Sequence, residues 1–468
     1  MNLYDVLAAG FPADRNKPAF LLSDGSAVRY AELEAGAAQI AGHLVASGVT
    51  PGDRVGLQAE KSVEAVMIYL GVLKAGAVFL PLNPAYTKAE VDYFVHDAGP
   101  RVFVTDAQVF RAEADAAADP LLEAVARADD DLASLIYTSG TTGRSKGAML
   151  SHGNLAANAL ALHRIWGFTQ EDVLLHALPI FHVHGLFVAL HCAFLSGAPM
   201  VWLPRFDDDK VVASLARSTV MMGVPTFYTR LLANPAFTRE AAKHMRLFIS
   251  GSAPLLESTF VEFEERIWMR ILERYGMSEV VIITSNPLVG DRLPGSVGFP
   301  LPGVELRIGG GDQTGPIEIR GPSVFSAYWR MPEKTAEDFT ADGFFITGDV
   351  GRQDPEGRVW ISGRAKDLII SGGYNVYPKE IELFLDELAG VTESAVIGIP
   401  HPDFGEGVVA VVIGAGDEAA MIAECRRQLA PYKSPKRIIF VQELPRNAMG
   451  KVQKNLLRDR YPDLFKSG

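Results

Sequence analysis

A chain of 468 residues is too long to close around one compact core, so two or more domains are expected. Apolar residues make up 48% and charged residues 21%, with no low-complexity tract, which excludes a disordered or fibrous chain. The formal charge of −12, from 44 Lys and Arg against 56 Asp and Glu, argues against nucleic acid or an anionic membrane as the main partner.

The first twenty residues carry no cationic stretch ahead of their short apolar patch, so no signal peptide is expected. From there to about residue 130, helical and strand-like patterns alternate. Tyr30 to Gly48 reads as a helix, Asp53 to Leu57 as a strand and Val63 to Ala75 as a second helix. Val78 to Leu82 and Val102 to Thr105 read as further strands. This rhythm implies a mostly parallel sheet with helices on both faces, and it continues from Asp172 to about Thr284, with Leu247 to Ser250 as one short strand. Gly185 to Leu203 is the most apolar stretch. It contains His191 and is broken by Ser196-Gly197-Ala198-Pro199, so a buried helix followed by a buried strand is expected there, not a membrane span.

From about Gly295 short strands and Gly/Pro turns predict a β-rich subdomain. After Arg364 a separate α+β unit is expected. Its helices are Glu380 to Leu388 and Ala419 to Leu429; its strands are Ser394 to Gly398, Val408 to Ile413 and Arg437 to Phe440. The predicted fold class is therefore α/β. A large N-terminal domain, residues 1–364, holds mostly parallel sheets with helices plus the β-rich subdomain, and a small α+β domain spans residues 365–468. Cys192 and Cys425 are far apart and in no CxxC spacing, which suits reduced core thiols in a cytoplasmic protein and not metal ligands.

The chemistry concentrates in LIYTSGTTGRSKG, Leu135 to Gly147. Its glycines let the backbone approach a ligand, its hydroxyls and amides offer donors to anionic oxygens, and Lys146 adds a point charge. The spacing is not that of a Walker A loop. On these residues alone, a phosphate cradle and a solvated surface loop both stand.

Four more motifs come in order: YGMSE (Tyr275 to Glu279), TGD (Thr347 to Asp349), GRAKD (Gly363 to Asp367) and PRNAMGK (Pro445 to Lys451). Together the five resemble the adenylate-forming superfamily of acyl-CoA synthetases, luciferases and peptide-synthetase adenylation domains, over nearly the whole chain. The resemblance implies that Thr138, Ser139, Gly140, Thr141, Thr142, Gly143 and Lys146 hold the β- and γ-phosphates of ATP. Glu279 would coordinate Mg²⁺, a hard cation that takes a carboxylate plus phosphate oxygens. Ser278 stands where the family more often has Thr, and its retained hydroxyl would meet the α-phosphate. Ser252, Ala253 and Pro254 would line the adenine, with Tyr275 stacking nearby and Gly276 following it. Asp349 and Arg364 would grip the ribose. Lys451 would reach the carboxylate and α-phosphate from a mobile small domain, with Lys366 at the hinge and Ser371, Gly372, Gly373 and Tyr374 lining the thiol tunnel.

Three further stretches, LPIFHVHGL, MGVPTFYTRLL and GGYNVYPKEIE, are similar to malonyl-CoA synthetases. That similarity implies Arg230 as a buried anchor for a second substrate carboxylate, with His182 beside it. Val183 and Val280 to Ile283 are aliphatic where malonate enzymes carry Thr and small or polar residues with a Met. An acid pocket including Val183 and Ile282 would suit a 2-substituted malonate. The expected activity is ATP-dependent acid–CoA ligation through an acyl-adenylate, with free CoA as acceptor since no carrier segment follows residue 468. The alternatives are a ligase for another short or branched monocarboxylic acid, a luciferase-type oxygenase, or a non-catalytic acyl- or nucleotide-binding paralogue. The resemblance also marks Lys451 as a site of inhibitory acylation, which would remove its charge.

Overall fold

The computed structural model describes residues 1–117, 119–138, 145–311, 313–446 and 452–465. Packing divides them into two compact units. The larger holds the described residues up to Glu305 together with Ile319–Phe345; the smaller holds Leu306–Glu318 and the described residues from Ile346 onward. The boundary expected from sequence lies at 364/365, whereas packing places 306–318 and 346–364 with the C-terminal hundred residues.

In chain order the larger unit has strands β1 (Pro18–Leu21), β2 (Ala27–Arg29), β3 (Arg54–Leu57), β4 (Val78–Pro81), β5 (Val102–Val104), β6 (Leu132–Thr138) and β7 (Lys146–Ser151). Next come β8 (Leu174–His176), β9 (Met200–Trp202), β10 (Val220–Gly223), β11 (Leu247–Ser250), β12 (Leu272–Tyr275), β13 (Thr284–Ser285) and β14 (Ser296–Pro300). One sheet runs β5-β3-β4-β6-β7 and the other β14-β13-β12-β11-β10-β8-β9-β1-β2. The strands from β3 to β6 are parallel, and so are those from β8 to β12. Parallel neighbours need long crossovers, and the helices between them supply these. All residues of β4, β10 and β11 are buried, as strands covered on both faces must be.

Helices Tyr30–Ala46 and Val63–Lys74 cross closely because glycine stands where they meet. A Cβ on Gly71 would lie 2.7 Å from Ile40 Cγ2 and 3.0 Å from the carbonyl of Ala37. The apolar stretch after residue 183 forms a buried helix and a buried strand, as expected. Its first turn differs: His184–Ala189 is π-helical and only Leu190–Ser196 is α-helical, ending at a left-handed Gly197. Such π-turns concentrate at functional sites.

The smaller unit carries β15 (Glu305–Ile308), β16 (Thr314–Arg320), β17 (Phe345–Gln353) and β18 (Val359–Arg364), side by side in that order. Then come β19 (Ile369–Ser371), β20 (Tyr374–Val376), β21 (Val391–His401), β22 (Gly405–Gly414) and β23 (Arg437–Val441). Strand β22 is central, with β21 antiparallel and β23 parallel to it. Its Val408, Ala410 and Val412 face one apolar cluster with Ile381, Leu385 and Cys425; Val409 and Val411 face another with Leu444 and Leu457. This period of two gives the unit a core on each side of one sheet. Cys192 and Cys425 are free and buried. Among the described residues no helix is long and apolar enough to cross a membrane.

Gly71→Ala tests the helix crossing. Alanine is the better helix former by about 1 kcal/mol, yet the overlap should make the variant less stable than the wild type by about 1–3 kcal/mol. Urea unfolding measures this, and a gain in stability would contradict the close approach.

Candidate active site

Three adjacent parallel strands end at one edge, β12 two residues beyond the other two. Gly223 of β10 pairs with Ser250 of β11, and Ser250 pairs with Glu273 of β12. The loops after them therefore gather at the carboxyl edge of the sheet, where open α/β folds bind ligands. The loop after β11 contains Ser252, Ala253 and Pro254. Ser252 is held at φ +73°, a left-handed conformation that costs a non-glycine residue of order 1–3 kcal/mol and clusters at functional sites. Its hydroxyl lies 3.3 Å from His184 Nδ1, at the start of the π-turn.

The loop after β12 runs from Tyr275 through Gly276 and Ser278 to Glu279. It folds back on itself: the amide of Ile283 donates to the carbonyl of Tyr275 at 2.9 Å, and that of Val281 to Met277 at 2.8 Å. A Cβ on Gly276 would overlap the carbonyl of Val281. Asn158 Nδ2 bridges the carbonyls of Val280 and Ile282, at 3.3 and 2.8 Å. The whole of Val280–Ile283 is buried, so its aliphatic character is a core property. Val281 sits at φ +69°, an outlier for a β-branched residue.

The Glu279 side chain belongs to a residue only 6% exposed. Tyr328, which sequence reasoning missed, donates its hydroxyl to Glu279 Oε1 at 3.0 Å. Burial first, and then the charges of Glu279 and Asp338, raise the tyrosine's pKa above its ordinary value and keep it a donor. The Tyr328 ring lies 4.5 Å from Lys146 Nζ. Lys146 also pairs with Asp338 at 3.5 Å, and Asp338 with Lys334 at 2.8 Å. Thus Lys146 and Glu279, distant in sequence, meet on either side of one tyrosine. Lys146 opens β7, paired with Thr138 at the end of β6. Ser139, Gly140, Thr141, Thr142, Gly143 and Lys451 lie outside the described residues. Arg446 and Val452, which flank residues 447–451, are bridged antiparallel.

Within the smaller unit, Asp349 and Arg364 face each other across β17 and β18 and pair at 2.8 Å. Asp349 is buried, and its backbone amide donates to Thr347 Oγ1 at 3.1 Å. Lys366 lies in a short 3-10 turn, Ala365–Asp367. Ser371 is buried at the end of β19; Gly372 and Gly373 come next, with φ of +60° and +81°, as the turn into β20. Tyr374 is exposed and stacked on Tyr432 at 4.6 Å.

Of the acid-binding residues, Val183 and Ile282 are buried and His182 is half-buried, its Nδ1 3.3 Å from the amide of His184. Arg230 departs from expectation. In helix Pro225–Ala233 the buried positions are Tyr228, Leu231 and Leu232, a helical stripe that leaves Arg230 exposed. A buried cation does exist nearby, but at Arg274 in β12, which is 4% exposed. Its signal in the sequence is a pair of charged residues, Glu273 and Arg274, between the apolar Ile271-Leu272 and Tyr275.

No group of three or more His, Cys, Asp or Glu side chains that could hold a metal occurs among the described residues. One buried carboxylate, Glu279, suits a magnesium ion that arrives on nucleotide phosphates better than a cage built by protein alone.

Glu273, beside Arg274 but on the other face of β12, has its pKa raised to about 8, chiefly by burial. Since this is above the unfolded value, folding takes up a proton, and the stability it contributes is full below about 4.5 and lost as pH rises toward 8. Glu273→Gln should therefore flatten stability between pH 5 and 8 and exceed the wild type at pH 9, by on the order of a few kcal/mol. Melting curves across that range decide it; parallel profiles for the two proteins would refute the buried-acid assignment.

The family model of AMP-binding enzymes matches residues 8–329, and that of the AMP-binding enzyme C-terminal domain matches residues 380–451. The ATP-bound MatB from Rhodopseudomonas palustris superposes with a TM-score of 0.94 at 51% identity, covering 99% of each chain. The malonate–CoA ligase of Arabidopsis thaliana is 36% identical over 88% of this chain and 78% of its own length. A feruloyl-CoA synthase from an Amycolatopsis species is 34% identical over 93% and 94%. With its strand-end loops, its buried Glu279 and matches along both units, the chain belongs to the family of AMP-binding enzymes, as a malonyl-CoA synthetase-like member of the adenylate-forming superfamily.

Proposed function

We propose that the protein is an ATP-dependent, AMP-forming acid–CoA ligase acting on malonate or a 2-substituted malonate. The observation that carries this reading is the end-to-end likeness, at 51% identity, to an ATP-bound MatB. Glu279, Asp349, Arg364 and Lys451 are all present, which a binding-only paralogue would not need.

A carboxylate is a poor electrophile, so it attacks the α-phosphorus of ATP. An acyl–phosphate bond forms as the bond to pyrophosphate breaks. The thiol of CoA then attacks the acyl carbon and AMP leaves with the electron pair. In this reading, residues 138–143 and Lys146 hold the β- and γ-phosphates, and the hydroxyl of Ser278 meets the α-phosphate. Ser252, Ala253, Pro254, Tyr275 and Gly276 border the adenine, and Asp349 with Arg364 takes the ribose. Glu279 is the residue that would hold Mg²⁺, which would supply positive charge against the departing pyrophosphate. Tyr328 keeps the Glu279 carboxylate oriented toward that role. Lys451 supplies positive charge at the carboxylate and α-phosphate. The smaller domain turns about Lys366 between half-reactions, presenting Ser371, Gly372, Gly373 and Tyr374 to the thiol. Acylation of Lys451 would block the first half-reaction, and a cytoplasmic location suits the two free thiols.

Release of AMP dependent on ATP and CoA should be fastest with alkylmalonates and malonate, well above propionate and butyrate. A preference for the monocarboxylates would overturn the assigned acid class. Lys451→Ala should abolish acyl-adenylate formation while largely sparing thioester formation from preformed adenylate. Equal loss in both half-reactions would remove Lys451 from its assigned step.

A further inference from the structure

We propose that Lys61, acting through His176, positions the π-turn His184–Ala189 for acyl-adenylate formation. This inference rests on the ligase reading above and adds a positioning residue to it. Lys61 lies in the loop after β3 of one sheet, yet its Nζ ends among residues at the tips of β8 and β9 in the other. There it donates to the carbonyls of His176 and Leu203, at 2.8 and 2.7 Å, and meets His176 Nδ1 at 2.9 Å. The Trp202 ring centroid is 4.0 Å from Nζ, a cation–π contact that offsets part of the cost of burial. Among the described residues no carboxylate pairs with Lys61.

The partners fix where the protons are. A carbonyl oxygen only accepts, and that of Gly185 lies 3.0 Å from His176 Nε2, so this nitrogen carries a hydrogen. Together with the two carbonyls at Nζ and the contact between Nζ and Nδ1, the pair needs four hydrogens. A neutral amine beside a neutral imidazole falls one short, so the pair keeps a positive charge although it is buried. Burial first, and then the charge of Lys61, hold the His176 pKa well below its ordinary value, which leaves the extra proton on the lysine. The ammonium thus makes Nδ1 the acceptor and keeps Nε2–H aimed at Gly185.

That carbonyl is where the turn becomes π. It also accepts from the amide of Leu190, five residues on, and a side-chain donor inserted at such a point is a recognised cause of helix irregularity. A Cβ on Gly185 would overlap the carbonyl of Pro179, so the turn seats closely there. His184 opens the turn, and its Nδ1 is 3.3 Å from Ser252 Oγ, on the loop assigned above to the adenine. Without the Nε2 donor, the Gly185 carbonyl is free to take the ordinary α-helical partner, the amide of Ala189, which draws His184 away from Ser252. Lys61 is in this way a strut from one sheet that holds a substrate-side turn of the other.

The test compares wild type, Lys61→Met and the double variant Lys61→Met/His176→Gln in acid-dependent ATP–pyrophosphate exchange, with malonate and with propionate, melting curves showing that each is folded. A glutamine amide donates without a partner to fix its hydrogen, so it can restore the bond to Gly185 in the absence of Lys61. Lys61→Met should slow the exchange by roughly 10- to 100-fold, and the double variant should recover most of that loss. Exchange by Lys61→Met within about twofold of wild type, or a folded double variant no faster than Lys61→Met, would overturn the role and leave the ligase reading intact. The wild type supplies a reading that needs no substitution. The ¹⁵N shifts of labelled histidine at neutral pH should show His176 protonated at Nε2, and a bare Nε2 would overturn the relay. A wild type that exchanges with neither acid would overturn the ligase reading and this role together.

Discussion

β10 and β11 end level in one parallel sheet, with β12 two residues longer, and the placement of the loops that carry Ser252 and Glu279 depends on that register. Strands running the same way must deliver their loops to the same edge, and a sheet buried on both faces offers a ligand no other approach. The loops that result are tightly braced. Ser252 and Val281 are kept at positive φ, and the carbonyls of Val280 and Ile282 are tied to Asn158. Backbone held this firmly can present polar groups without rearranging when a substrate arrives.

Two cations in the larger unit are prepared in opposite ways. Lys146 is already neutralised by Asp338, in a pair whose side chains are 18% and 20% exposed. An anion that bound it would exchange one partly hydrated counter-ion for another, with little net gain in free energy. Arg274 has no partner at Nε and Nη2 among the described residues, so its burial carries a desolvation cost that Lys146 does not.

Much of the fold is legible from periodicity. The helices near 30–48 and 63–75 and the strands at 78–82, 247–250 and 408–413 are where apolar spacing places them, because burial alone dictates those patterns. The site is legible only through its ordered motifs. Tyr328 carries no warning, since an aromatic in FSAYWR is ordinarily core, and only folding brings it between Glu279 and Lys146. Arg230 is exposed and not buried as expected, because a helical sequence does not say which stripe faces inward; Tyr228, Leu231 and Leu232 decide that. Arg274 escapes notice in the sequence because it follows another charged residue, Glu273, outside any element read from periodicity. The π-turn at His184 has no sequence signature beyond an apolar run.

The two cysteines have a practical consequence. The chain contains two, one in each compact unit, and both are fully buried. Burial also raises the pKa of each thiol above its ordinary value, so neither reacts while its surroundings stay closed. An alkylating reagent then counts opening events, Cys192 reporting on the larger unit and Cys425 on the smaller. The natural sequence thus contains a pair of internal clocks that separate the breathing of one unit from that of the other, without any engineered label.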